Sequence, residues 1–441
     1  MQHAIKTQKQ MFVTFFDVAK AYDRADVEDM LVTVWERGLK GKLWRLMKEL
    51  NTKLTAVIKT RHGITREILR VAGGKQGGIN FGFLFAKIMD TLAEDAELNH
   101  EMGVVFEDLR IAVLEWVDDV LTFAIGSEQQ IYSLECVNEF ATKHKLKWGR
   151  EKCNVMEVGS GEPCCATWKL GKLEIDACKE YKYLGDVIMK DGKNKRNIEE
   201  RECKVRAATR KIIGICGNGA IKKIELKALL KMHETCTLAT LLTNCESWTL
   251  NKGEREQIQK IELWALKKIL NVPVTTPTPT IWFITGFLLT PILIDKRQHI
   301  YLKSCLDRPD HDWTKRMLHV LNKTDIGWAS QINKKLNEYD LKTSWKEIAK
   351  ETKISWKNAV VMATERMNKE KLLDMCYSKK KEKTKSKYTI DKLKSEHYER
   401  RPLLNLLCKN RLRARIQLIS MSRMLDCAVN FKHGYGGDLC K

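Results

Sequence analysis

Two adjacent aspartates, Asp118 and Asp119, lie between the two apolar runs of the stretch RIAVLEWVDDVLTFAIGS, residues 110–127. Each run has the composition of a buried strand, which predicts a hairpin with the aspartates at its tip. A tight two-residue hairpin favours glycine because it needs positive φ, and no glycine is present at this tip. Adjacent carboxylates repel each other, and a divalent cation held between them and a third acid offsets that repulsion. The pair therefore predicts a metal site that needs a third carboxylate.

Asp17 is the candidate for the third acid, because it ends the β-rich apolar run MFVTFF, residues 11–16. Up to Gly159 the pattern predicts a strand, helices, the hairpin, a helix and a short strand, in that order. This order is typical of an antiparallel sheet with helices packed on one face, a split βαβ arrangement. In such a sheet the hairpin pairs with the first strand. We therefore expect Asp17 to lie beside Asp118 although the two are far apart in the sequence.

Local signals place the helices of this region. Asp26 is a predicted N-cap, and the following helix, with apolar residues at helical spacing, should stop at Gly38. The glycine-rich turn GGKQGG, residues 73–78, leads into a second helix. Ser127 and Gln130 have the spacing of a capping box for a third helix, which should run to about His144.

Composition indicates an ordered protein with a polyanionic partner. Apolar residues make up 44% of the 441 residues, and the formal net charge is +22. Such an excess attracts phosphate backbones in a salt-dependent manner, although a merely basic surface is the simpler alternative. The 14 cysteines contain no C-x-x-C pair, which favours free thiols in a reducing compartment over disulfides or a complete zinc site.

Beyond Gly159 the chain becomes mostly helical and basic, with helices predicted near residues 197–213 and 252–270. The uncharged segment 271–294 carries four prolines, so we interpret it as a linker leading into a buried segment and not as a membrane span. The lysine-rich run 379–387 is predicted to be solvated or disordered. A last basic helix is expected around Arg411, Arg413 and Arg415.

Three stretches, FFDVAKAYD, GGKQGG and EWVDDVL, resemble in order and spacing the A, B and C motifs of reverse transcriptases. Their surroundings resemble the non-LTR, LINE-type retrotransposon branch. KLKWGREKC (145–153) is similar to motif D, YKYLG (181–185) to motif E or the primer grip, and residues 246–273 to the helical thumb. The resemblance covers nearly the whole chain. It implies an α+β fold: a right-hand polymerase palm, followed by a mostly helical thumb and C-terminal region.

The resemblance also implies two-metal nucleotidyl transfer, in which a primer 3′-hydroxyl attacks the α-phosphate of a nucleotide. The implied cofactor is Mg²⁺, as two ions, with Mn²⁺ as the alternative. Asp17 and Asp118 are the expected catalytic metal ligands, and Asp119 is the lesser candidate. For each aspartate taken alone, a surface turn residue is the favoured interpretation. The three together, each at the end of an apolar strand, favour the metal site.

The other implied site residues each have a simpler alternative. Tyr22 would lie under the nucleotide sugar and exclude a 2′-hydroxyl, or it is a core aromatic. Gln76 and Gly77 match the family's Q-G, whose turn lets backbone approach the nucleotide and template–primer. Lys152 would protonate the pyrophosphate leaving group, or it is an ordinary exposed lysine. A further set, which would support the primer end or form an ordinary strand and turn, consists of Tyr183, Leu184 and Gly185.

Several features depart from the family pattern. Phe81 and Gly82 stand where the family has a Ser-Pro pair, and Trp116 and Val117 replace the common residues before the aspartates. Only 16 residues precede Asp17, so we expect the finger segments and any endonuclease domain to be missing. At the other end, Cys440 would be the first cysteine of a zinc knuckle that lacks its partners. The expectation is a reverse transcriptase truncated at both ends.

Four segments follow from this interpretation: a palm with little or no fingers (1–160), a primer grip and thumb (161–270), a helical C-terminal region after the Pro/Thr linker (271–378) and a basic tail (379–441). The residues expected to contact nucleic acid are Lys379, Lys380, Lys381, Arg411, Arg413 and Arg415.

The predicted function is RNA-directed DNA polymerisation. The partners would be an RNA template, a DNA primer or target and deoxynucleoside triphosphates, with no membrane; the oligomeric state is open. The location would be intracellular, in the nucleus and cytoplasm. The first alternative is a weak or inactive nucleic-acid-binding remnant of such an enzyme. A second, a metal-dependent nuclease or phosphotransferase, accounts for the acids but not for Tyr22, Gln76 or the primer-grip stretch.

Overall fold

The structure is a computed structural model, which describes residues 4, 9–52, 54–69, 73–74, 78–159, 167–216 and 226–377. The chain divides into two compact units, Met1–Lys193 and Asn194–Lys441. The first contains the sheets and the second, as far as it is described, is helical. The α+β class predicted from the sequence is thus confirmed. The finer division into four segments stays a prediction.

The first unit is built on a six-stranded sheet with the order β11-β12-β10-β1-β9-β8. β1 runs antiparallel to both β9 and β10, and β8 and β9 form the predicted hairpin beside it. The one parallel pair among these strands is β10 with β12. The strands are β1 (Met11–Asp17), β8 (Val113–Trp116), β9 (Asp119–Ala124), β10 (Asn154–Val158), β11 (Thr167–Leu170) and β12 (Leu173–Ala177).

Strand β1 is buried along its whole length, which explains its continuous apolar sequence. Alternate residues of a strand point to opposite faces of the sheet. Phe12 and Phe16 therefore lie on one face, in the main hydrophobic core, to which the helices of this unit also contribute side chains. Val13 and Phe15 face the opposite side, where they contact a separate hairpin through Tyr181 and Tyr183. The predicted layer of helices on one face is therefore present, and a hairpin covers part of the other face.

Five helices of the first unit are described: α1 (Ala21–Arg24), α2 (Val27–Glu36), α3 (Gly41–Asn51), α4 (Ile79–Leu98) and α5 (Gly126–Lys143). Asp26 caps α2 as predicted, because its carboxylate accepts from the backbone N–H groups of Glu28 and Asp29. The capping box predicted for α5 is wrong. The Gln130 side chain is buried and donates to Thr14 Oγ1 at 2.7 Å. The N-cap is Ile125, whose N–H is bound by the Gln129 side chain.

Four further two-stranded antiparallel sheets contain the other described strands of this unit. β2 (Thr55–Ala56) pairs with β5 (Ile68–Leu69), and β3 (Lys59–Thr60) with β4 (Gly63–Ile64). β6 (Val104–Phe106) pairs with β7 (Leu109–Ile111), and β13 (Glu180–Tyr183) with β14 (Asp186–Met189). A short 3₁₀ turn, Arg150–Lys152, joins α5 to β10.

The described helices of the second unit are α6 (Lys195–Cys216), α7 (Leu226–Met232), α8 (Ala239–Leu241), α9 (Lys252–Leu270), α10 (Thr278–Thr285), α11 (Thr290–Leu306), α12 (Trp313–Thr324), α13 (Gly327–Glu338), α14 (Trp345–Lys350) and α15 (Lys353–Tyr377). A π-helical turn, His233–Leu238, lies between α7 and α8, and a 3₁₀ turn, Cys245–Ser247, precedes α9. The two helices predicted near 197–213 and 252–270 are confirmed as α6 and α9.

The proline-rich segment lies inside the second unit. Leu266 and Leu270, before its Pro/Thr stretch (272–280), share one hydrophobic core with Ile281 and Trp282, which follow that stretch. The predicted buried segment is therefore present, and it begins with α10. Among the described helices none is by itself both long and apolar enough to cross a membrane, and the α10–α11 pair, bent by 48°, meets that requirement on length and composition only.

Candidate active site

The tip of the β8–β9 hairpin consists of Val117 and Asp118, between the closing pair Trp116 and Asp119. Val117 has a φ of 60°, a left-handed conformation that a β-branched residue rarely adopts. The turn thus contains valine at a position whose backbone conformation glycine would adopt without strain. Strain of this kind persists only when surrounding packing enforces it, and Val117 packs against the main core.

The register of β1 with β9 sets Asp17 directly opposite Asp119. Directly opposed residues in an antiparallel pair have Cβ atoms about 4.5–5.5 Å apart. The sequence predicts Asp17 beside Asp118, and the register pairs it directly with the next residue, Asp119. Asp118 occupies the turn, because a two-residue loop leaves only Asp119 to start the strand. All three aspartates nevertheless meet at one end of the central strands.

Lys152 lies at the same place, because the segment that resembles motif D folds back along the end of β1. The Lys152 ammonium donates to Asp17 Oδ1 at 2.8 Å. The backbone of the segment is attached to the same residue, since the Gly149 N–H donates to the Asp17 carbonyl at 2.9 Å. Hydrogen bonding to Asp17 raises the pKa of the Lys152 ammonium, so it stays protonated at neutral pH.

The aspartate cluster carries more negative charge than Lys152 offsets. Burial, then the nearby charges of Asp118 and Asp17, raise the pKa of Asp119, and Lys152 opposes this effect. Asp17 is 8% exposed. Within the part of the chain that the structure describes, no three carboxylate, imidazole or thiol side chains converge as a ready metal-ligand set. The donors still fit Mg²⁺, a hard ion that needs only one or two carboxylates besides water and phosphate oxygens.

The predicted primer-grip residues form the β13–β14 hairpin, whose turn consists of Leu184 and Gly185, both at positive φ. Tyr181 stacks on Phe15 of β1 with ring centroids 4.0 Å apart. Its hydroxyl donates to the Lys152 carbonyl at 2.7 Å. Tyr183 lies close to the aspartates, and burial, with a smaller contribution from Asp119, raises its pKa to about 12. The hairpin is therefore fastened to the same strand end as the acids.

Tyr22 is half-buried on the short helix α1. Its ring centroid lies 5.3 Å from that of Phe81 and 6.0 Å from that of Phe85. Phe81 is fully buried, and Gly82 leaves space beside the Tyr22 hydroxyl, since a Cβ there would lie 3.4 Å from it. The Phe-Gly pair that departs from the family pattern thus packs against Tyr22. The ring belongs to the core edge, and its part in sugar selection stays a prediction.

The other predicted site residues lie outside the residues that the structure describes: Gln76, Gly77, Lys379, Lys380, Lys381, Arg411, Arg413 and Arg415.

Sequence reasoning missed Glu115, a carboxyl in β8 next to the hairpin tip. Burial, then Asp90 and Glu94 of α4, raise its pKa to about 7. One of its carboxyl oxygens is buried without a hydrogen-bond partner. The available signal was a charged residue inside an apolar strand, but the acidic partners on α4 become visible only in three dimensions.

Comparison with known proteins agrees with this geometry. Residues 1–188 match the model of the reverse transcriptase (RNA-dependent DNA polymerase) family. These residues make up nearly all of the first unit. The first unit therefore has a reverse-transcriptase-type fold, in which the six-stranded sheet corresponds to the palm. No curated protein matches the chain significantly.

Solved telomerase structures are similar at low identity. One is telomerase from Candida albicans in complex with the TWJ fragment of telomeric RNA, at 11% identity and a TM-score of 0.34, covering 77% of this chain and 49% of that one. Another is apo telomerase from Candida tropicalis, at 14% identity and a TM-score of 0.35, covering 73% of this chain and 53% of that one. The chain thus spans about half the length of these telomerase chains.

Proposed function

We propose that this chain is an RNA-directed DNA polymerase of the LINE-type retrotransposon branch. The observation that carries the proposal is the pairing of Asp17 with Asp119, beside Asp118, within a domain of reverse-transcriptase type. The substrates are an RNA template, a DNA primer or target and deoxynucleoside triphosphates. The net charge of +22 supports a nucleic-acid partner. The proposed location is intracellular, in the nucleus and cytoplasm.

The reaction joins the primer 3′-hydroxyl to the α-phosphate of the nucleotide and expels pyrophosphate. Asp17, Asp118 and Asp119 hold Mg²⁺ or Mn²⁺, which when bound supplies charge stabilisation for the attacking and leaving oxygens. The remaining catalysis is positioning, as is general for phosphoryl transfer.

Each remaining residue has a defined task in this proposal. Lys152 is a protonated ammonium beside the acids, so it can give a proton to the pyrophosphate oxygen as the bond breaks. The β13–β14 hairpin, stacked on Phe15, supports the primer end next to the aspartates. Tyr22 presents its ring edge under the sugar, and Gln76 with Gly77 approach the template–primer. The basic residues beyond 378 hold the nucleic-acid backbone.

Primer extension on an RNA template with a DNA primer, deoxynucleotides and Mg²⁺ tests the proposal. Asp17→Asn and Asp118→Ala should each lower the extension rate on the order of 100-fold or more, as removal of a group that stabilises transition-state charge does. Asp108→Asn, in the exposed β6–β7 turn, removes the same charge and should extend normally. Binding of the same template–primer is measured in parallel by fluorescence anisotropy.

The pattern of results separates the alternatives. Intact binding without extension by the unmodified chain would identify a nucleic-acid-binding remnant. Cleavage of the template in place of extension would identify a nuclease. Undiminished extension by Asp17→Asn would show that the acids are not the site.

A further inference from the structure

The ion pair between Lys152 and Asp17 gives this lysine a role before any nucleotide arrives. Lys152 donates to one oxygen of the carboxylate that the proposed function assigns to metal binding. A divalent cation on the same carboxylate would lie within a few ångströms of the Lys152 ammonium, and the repulsion between the two positive charges makes them competitors for Asp17. Among the described residues, Lys152 is the side chain that forms an ion pair with one of the three aspartates, and it does so through Asp17.

We propose that the Lys152 ammonium occupies Asp17 in the metal-free protein, so that divalent-cation binding must displace it and frees it for the nucleotide phosphates. This inference rests on the proposed function, because it assumes that Asp17 binds the cation. It adds that the lysine is a competitor of the metal before it becomes a partner of the phosphates.

The backbone around Lys152 is anchored while its side chain is free to move. The Lys152 carbonyl accepts from the Tyr181 hydroxyl, and the Gly149 N–H donates to the Asp17 carbonyl. The lysine side chain is 67% exposed, whereas that of Asp17 is 12% exposed. Displacement therefore needs only rotation of a solvated four-carbon chain, with no movement of the strand that holds the acid.

The competition also accounts for the state of the acids. In the described residues no metal-ligand set is preassembled, although Asp17 and Asp119 are direct cross-strand neighbours. The like charges of Asp17, Asp118 and Asp119 oppose convergence of the carboxylates, and Lys152 pairs with one oxygen of Asp17. A divalent cation that outcompetes the lysine reverses both effects.

Binding of Mn²⁺ alone to the full-length chain, followed by the electron paramagnetic resonance signal of free Mn²⁺, tests the inference without any catalytic readout. Lys152→Met should bind Mn²⁺ about two- to fivefold more tightly than the unmodified chain, the range typical of exposed ion pairs. Lys152→Arg keeps the cation and should remain close to the unmodified chain. Lys147→Met, an exposed lysine in the same segment, controls for the loss of one positive charge.

Asp17→Asn identifies the site and completes the cycle. It should weaken Mn²⁺ binding strongly, and in that background Lys152→Met should change the affinity no more than Lys147→Met does. One result would overturn the competition but leave the proposed function intact. In that result Mn²⁺ binding depends on Asp17, but Lys152→Met does not tighten it, or tightens it no more than Lys147→Met does. Mn²⁺ binding that is absent or indifferent to Asp17→Asn would overturn the metal site itself, and the competition with it.

Discussion

We expect the packing of the β8–β9 hairpin against α4 to weaken as pH rises, because Glu115 of β8 ionises. It lies in β8 opposite Val120, and its carboxyl faces Asp90 and Glu94. The basic groups nearby are already engaged, since Lys87 pairs with Asp90 and Arg37 with Glu94. The protonated acid can share its proton with Asp90, whereas the ionised form meets two like charges at a half-buried position. The neutral analogue Glu115→Gln should remove this dependence.

The sign and size follow from the pKa. The pKa of Glu115 rises from 4.5 to about 7, so the folded state retains a proton that the unfolded state releases. The stabilisation is fully present below about pH 4.5 and is lost as pH rises through about 7. A change of this size corresponds to about 3 kcal/mol, which water at a half-buried carboxyl reduces to roughly 1–2 kcal/mol.

Hydrogen exchange measured by mass spectrometry on peptides of α4 and β8 is the appropriate assay, because it reports on this contact separately from the second unit. At pH 8, Glu115→Gln should raise the protection factors of these peptides about 5- to 30-fold over the unmodified chain, as 1–2 kcal/mol implies. At pH 5 the two proteins should be almost equal. Glu67→Gln, an exposed glutamate of the same unit, should change neither. An equal gain at both pH values, or none, would refute the reasoning.

Further predictions follow from other contacts. Tyr22→Ala should raise ribonucleotide incorporation relative to deoxynucleotide in primer extension, and an unchanged ratio would leave Tyr22 as a packing residue only. Arg255→Met removes the 2.6 Å ion pair of buried Asp295, which keeps Lys335 at 3.9 Å and the Tyr339 hydroxyl. The free energy of unfolding of the second unit, followed in urea, should therefore fall by about 3 kcal/mol, the lower end of the range for breaking a buried pair. Gly74→Ala should lower the melting temperature, since a Cβ there would lie 1.8 Å from the buried Phe81 ring, and overpacking of this kind costs about 1–3 kcal/mol.

The sequence alone was sufficient to predict those strands and helices whose hydrophobic pattern fits only one type of secondary structure. β1 is apolar on both faces because it is covered on both faces, and α2 has a cap, an apolar stripe and a glycine stop. The cap of α5 was misassigned because two glutamines stand side by side. Gln130 has the capping-box spacing but is buried against Thr14, and its neighbour Gln129 binds the N-cap instead. Spacing alone does not tell which side chain faces the core.

The sequence predicted that the three aspartates lie at one end of the paired strands, but it did not predict the register of the strands. A shift of one residue between paired strands exchanges every partner, so the identity of the acid opposite Asp17 depends on the length of the turn. That turn contains Val117 at positive φ, a conformation that its sequence disfavours. The pairing of Asp17 with Asp119 therefore follows from the whole sheet and not from the local sequence. The same holds for Glu115, whose acidic partners come from α4.

Strain and an excess of negative charge coincide at one hairpin tip, and this coincidence argues for a ligand. Val117 costs about 1–3 kcal/mol in its conformation, and next to it the charges of Asp118 and Asp17 act unfavourably on ionised Asp119. Neither feature stabilises the fold, since glycine and asparagine at the same positions would remove both. The lysine that partly offsets the charge is mostly exposed, and nothing else in the described contacts binds its ammonium. The strain, the excess of negative charge and a counter-ion whose side chain is solvated together support the proposed exchange of the Lys152 ammonium for a divalent cation.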